Sequence, residues 1–184
     1  MRYSLAVFAL LVVLGCAMPG GKVDFPPSPA GLGLPPAADP VLASVSNARS
    51  ALADPPRRIG DNPPYAARTV GQLEFVAAMI REPRFISIAP IVEVPLARGR
   101  TEARAALGLA QDAAPQAVIS ALGAAAAALE RGDAAAAERA LAPVSAAPAR
   151  TIATLRALPF MPTAVNALAL TERVWDRVYA LDML

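Results

Sequence analysis

Proline placement constrains this chain more tightly than any other feature of its sequence. A proline donates no backbone hydrogen bond and clashes with the carbonyl four residues back, so it breaks a helix from within yet suits a first helical turn. The chain has 184 residues, of which 19 are proline. Six of those prolines and four glycines crowd into residues 17–39, a density at which no regular helix or strand survives. This segment reads as a tether, roughly 26 Å long if coil-like and about 70 Å if fully extended.

Further on, the prolines alternate with stretches of helical periodicity. Asp39-Pro40 is an N-cap followed by a first-turn proline, and Val41, Val45, Ala48 and Leu52 recur at helical spacing until Pro55-Pro56 ends the element. Asn62-Pro63 repeats the signal, and Ala66, Val70, Leu73, Ala77 and Ile80 form an apolar stripe that stops before Pro83. Residues 85–88 are β-branched enough for a strand. Ile88, Val92, Pro95, Gly99, Ala103 and Ala106 nevertheless follow helical spacing, which predicts a helix over about 89–107, kinked at Pro95. Pro115 opens the next helix, with Val118, Leu122, Ala125 and Leu129 facing inward and Gly132 closing it as a C′ glycine. Asp133 caps a helix over about 134–142, and two more are expected over 148–158 and about 163–181. With no hairpin signal between apolar runs, the expected fold is all-α, an irregular bundle of six or seven helices spanning residues 40–184.

The N-terminus carries a different signal. Arg2 precedes ten apolar residues at 5–14, and even the largely apolar run over 3–18 is shorter than the roughly 20 residues a membrane-spanning helix needs. Directly after it stands Val13-Leu14-Gly15-Cys16. This resembles the lipobox of bacterial lipoproteins, with an aliphatic residue at −3, a small one at −1 and cysteine at +1. The resemblance implies a signal peptide over 1–15, recognised by its peptidase through Val13, Leu14 and Gly15. It also implies a diacylglycerol thioether and an N-acyl chain on Cys16, with residues 16–39 as the tether. Two or three acyl chains make such attachment effectively permanent. Ala17 at +2, rather than aspartate, implies by the family's sorting habit an outer-membrane protein facing the periplasm. Gly15-Cys16-Ala17 also meets the small-x-small rule of general signal peptidase, so ordinary secretion or a retained leader are the alternatives.

Composition narrows the chemistry. The chain has no histidine, which excludes a Ser-His-Asp triad, a Cys-His pair and a His-ligated zinc site. Its single cysteine excludes an intramolecular disulfide. With 17 basic against 15 acidic residues, no clustered cationic surface for nucleic acid is evident. Residues 128–141 resemble the turn inside a tetratricopeptide repeat, but the pattern occurs once, and an array needs at least about three copies, so a helical hairpin is expected there. Arg131-Gly132-Asp133 spells an adhesion tripeptide whose glycine and aspartate are better explained as cap residues.

Arg81, Arg84, Arg98, Arg100, Arg104, Arg173 and Arg177 mix with Glu82, Glu93, Glu102, Glu172 and Asp176 in the pattern of solvated helix faces. Phe160, Trp175 and Tyr179 are expected to anchor the last helix to the core. Glu74 and Glu93 are carboxylates of the type a general acid/base pair needs, but nothing in the sequence brings them together. No catalytic residue, metal ligand or cofactor other than the lipid on Cys16 is therefore expected. The functional expectation is a membrane-anchored, non-catalytic envelope module that binds another protein. The alternative is a binder of a small apolar ligand or lipid inside the bundle.

Overall fold

The computed structural model describes residues 29, 31–35 and 38–179. Among them every regular element is helical: α1 (Pro40–Ala53), α2 (Pro55–Arg58), α3 (Pro63–Met79), α4 (Ala89–Leu107), α5 (Pro115–Glu130), α6 (Ala134–Leu141), α7 (Pro148–Arg156) and α8 (Pro162–Tyr179), with a 3-10 turn at Pro83–Phe85. The all-α class is the one expected, but the helices number eight among the described residues rather than six or seven. The additional one is α2, a single turn. Pro55-Pro56 does end α1, yet the same pair restarts the chain, because proline's fixed φ is already helical. Residues 85–88 form no strand: the 3-10 turn continues through turn residues 86–88 into α4, which runs on through Pro95.

Proline opens or nearly opens seven of the eight helices. Side-chain caps satisfy the N–H groups that a helix start leaves orphaned. An oxygen of Asp39 accepts from the Val41 N–H at 2.8 Å, one of Asn62 from the Tyr65 N–H at 3.1 Å, and one of Asp133 from the Ala136 N–H at 2.8 Å. No polar side chain precedes α8. Its Ala164 N–H donates instead to Glu102 on α4, at 2.9 Å, so one helix caps another.

α3 is the central element, with 12 of its 17 residues buried. It packs on α5, α1, α4 and α7, whereas α8 lies against α1 and α4, and α5 against α6. α3 thus separates the α5–α6 side of the bundle from α8. The stripe of Ala66, Val70, Leu73, Ala77 and Ile80 is buried as its spacing requires, and so are Val41, Val45, Ala48 and Leu52 of α1.

Two arrangements depart from the sequence expectation. Arg104, grouped above with solvated arginines, is buried with Glu74: its Nε and Nη2 donate to the two carboxylate oxygens at 2.6 and 2.8 Å. Its Nη1 donates to the carbonyls of Ala110, Gln111 and Ala113 at 3.2, 3.0 and 2.8 Å, which pins the α4–α5 loop to α3. A buried charge persists only when paired and fully hydrogen-bonded, and both conditions are met here.

The second departure lies in the stretch read as a tether, which is already held by the body at residues 31–35. Leu32 is fully buried and sits over Gly71 of α3, where a Cβ would come within 2.6 Å of its Cδ2. Gln72 donates to the Leu32 carbonyl at 2.9 Å and Arg68 to the Gly31 carbonyl at 3.0 Å. Arg68 in turn holds Glu130 of α5 through two charge-assisted bonds of 2.5 and 2.6 Å, which keep the Glu130 carboxyl below its ordinary value.

Candidate functional site

The lipobox residues Val13, Leu14, Gly15 and Cys16 lie outside the described residues. The described body carries several surface depressions, and two of them adjoin on the seam between α4 and α8. α4 is amphipathic: Val92, Leu96, Ala103 and Leu107 face the core, and Glu93, Val94, Arg98 and Thr101 face outward. The two helices are drawn together at Gly99, where a Cβ would stand 2.8 Å from the Ala164 Cα. The Glu102–Ala164 cap fixes the same point.

On the solvent side this seam leaves two adjoining depressions that share Arg98 and Thr163. One, of about 590 Å³, is bordered by Arg81, Glu93, Val94 and Thr101. The other, of about 450 Å³, has Pro95, Pro162, Ala167 and Leu170 as its apolar lining and Asn166 and Arg173 at its edge. The exposed large apolar residues cluster nearby in sequence: Ile86, Ile91 and Val94 on the way into and along α4, and Phe160 just before α8. Of these four, Val94 borders the first depression.

Electrostatics at the seam are asymmetric. Glu93 is held by Arg81 at 2.5 Å, Glu102 by the Ala164 N–H and Glu172 by Arg49 at 2.6 Å. Arg98, Arg100, Arg173 and Arg177 have no carboxylate partner among the described residues. Of the mixed-sign set read in the sequence, Arg81, Arg84 and Arg104 are thus paired, whereas Arg98, Arg100, Arg173 and Arg177, and the acid Asp176, form no ion pair among the described residues. Glu74 and Glu93 each hold a different arginine, Arg104 and Arg81, and do not form a pair with one another. Among the described residues no three potential metal ligands converge.

The aromatic expectation needs correction. Phe160 is 59% exposed and anchors nothing, because the residues before α8 turn it outward. Trp175 is half-buried against Phe85, with ring centroids 5.4 Å apart, so the aromatic that docks α8 comes from the 3-10 turn. The side chain of Tyr179 lies outside the described residues. Sequence reasoning missed Phe85, Thr163 and Asn166, which acquire a role only through the α4–α8 contact. The isolated repeat-like segment is indeed a helical hairpin, α5 and α6 packed together, with Gly132 at φ +74° closing α5.

No family model matches this chain, and neither a curated protein nor a solved structure matches it. The fold and the seam define the class of molecule: an eight-helix bundle, among the described residues, with two adjoining depressions between α4 and α8, the second lined by apolar residues and two arginines.

Proposed function

We propose that this chain is a bacterial lipoprotein. It is exported, acylated on Cys16 and held on the periplasmic face of the outer membrane, where its helical body serves as a non-catalytic module that binds another envelope protein. The anchor rests on Val13-Leu14-Gly15-Cys16. The binding role rests on one observation, the two adjoining depressions on the α4–α8 seam, with the exposed Val94 at the edge of one of them. A partner that covers Ile86, Ile91 and Val94 removes apolar area from water at roughly 25 cal/mol per Å². A small apolar ligand inside the bundle would need an enclosed cavity of about 300 Å³ or more. The two seam depressions open to solvent instead, which favours a surface partner.

Radioactive palmitate fed to intact cells tests the anchor. Wild-type protein takes up label, and Cys16→Ser remains unlabelled and unprocessed at this site. Wild-type protein without label would remove the anchor. A photo-crosslinking side chain at Val94 tests the partner: one reproducible species is expected, and monomer alone would end the binding-module reading.

A further inference from the structure

Resting on that binding-module reading, we propose that the α4–α8 groove receives an acidic, apolar-studded segment of the partner protein. The argument is charge complementarity. Arg98 and Arg173 border the depression lined by Pro95, Pro162, Ala167 and Leu170, and Arg177 follows Arg173 one turn later on α8. None of the three has a carboxylate partner among the described residues. Of the acids on these helices, Glu93 and Glu172 are paired with Arg81 and Arg49, and Glu102 accepts the Ala164 N–H. Asp176 is the single carboxylate on these two helices without such an engagement among the described residues. A segment that presents carboxylates to the arginines and leucine-like side chains to the floor satisfies both halves of the groove. Arginine's planar fork suits a carboxylate in particular.

The geometry favours a protein segment over an anionic lipid surface. The floor lies in a concavity between two helices, which a plane of headgroups does not enter. The chain also reaches the body at residues 31–35 beside α3 and α5, and α3 stands between that entry and α8.

The test uses the full chain purified in detergent and a short fluorescein-labelled helical peptide of leucine and glutamate, with a twin carrying lysine for glutamate. Fluorescence anisotropy is expected to show the acidic peptide binding at least about tenfold more tightly than its twin, and more weakly as salt rises. The double variant Arg98→Glu with Arg173→Glu is expected to lose about tenfold or more in affinity. Arg139→Glu, exposed on α6, is expected to leave binding unchanged. Because Arg98 and Arg173 are both exposed, the double variant should melt like wild type, and circular dichroism checks this. Equal affinity for both peptides, or no loss in the double variant, overturns the proposal. So does sedimentation with phosphatidylglycerol vesicles that the double variant abolishes. If the Val94 crosslink in cells persists in the double variant, the acidic chemistry fails while the binding module stands. If no crosslink forms in wild type, the module itself fails.

Discussion

Arg104 shows how one side chain can hold three parts of a fold. It neutralises Glu74 on α3, belongs to α4, and supplies the donors for three carbonyls of the loop into α5. Removing one member of a buried ion pair costs about 3–5 kcal/mol. The two members are not equivalent here. Glu74→Gln keeps an acceptor beside an arginine that still has its carbonyls, whereas Arg104→Met leaves a carboxylate buried alone and the loop carbonyls without their donor. Chemical denaturation is expected to rank Arg104→Met as the more damaging change, and a reversed order would refute this account. Neither partner was legible as such in the sequence, because thirty residues separate them and each sits among charges of both signs. Arg104 was grouped with the solvated residues because Arg98, Arg100 and Glu102 stand close to it in sequence, and one buried arginine does not alter that mixed-sign pattern.

At the scale of the element, helix starts were readable and helix contacts were not. Proline and Asx residues act through their own backbone neighbours, so Asp39-Pro40, Asn62-Pro63 and Pro115 announced α1, α3 and α5 locally. The α4–α8 groove depends instead on Gly99 lying under Ala164, a match between residues far apart in the chain. Two glycines of α4 are accordingly expected to respond differently to alanine. Gly108 caps the helix at φ +67° with open space around its missing Cβ, so Gly108→Ala should cost about 1–2 kcal/mol of backbone strain and leave the groove intact. Gly99→Ala drives a methyl into the α8 backbone and should cost about 1–3 kcal/mol. It should also move amide resonances around Ala164 and weaken peptide binding. Denaturation midpoints with amide spectra of both variants separate the two effects.

For the whole molecule, the consequential contact is the one the composition hid. Leu32 stands among the prolines and glycines of a spacer, and nothing local marks it for burial. Its receptor is assembled from α3, through Gly71, Gln72 and Arg68, and secured from α5 by Glu130. The Arg68 hydrogen bonds hold the Glu130 carboxyl below its ordinary value of 4.5. The stabilisation this provides is present in full above that value and is lost as pH falls through the lowered one. Thermal melting of wild type from neutral pH downward should lose stability below the ordinary carboxylate value. Glu130→Gln should start less stable and lose less over that range; identical slopes would refute the linkage.

The same contact has a mechanical meaning. Twelve residues lie between Cys16 and Pro29, so if Cys16 carries the proposed acyl anchor, the thirteen peptide steps from it to Pro29 span at most about 45 Å. A pull arriving from the N-terminal side is borne first by the buried Leu32 side chain and by the hydrogen bonds that α3 makes to the Gly31 and Leu32 carbonyls. If that latch yields while α1 holds, the ten peptide steps from Pro29 to Asp39 can extend to at most about 35 Å without unfolding the bundle.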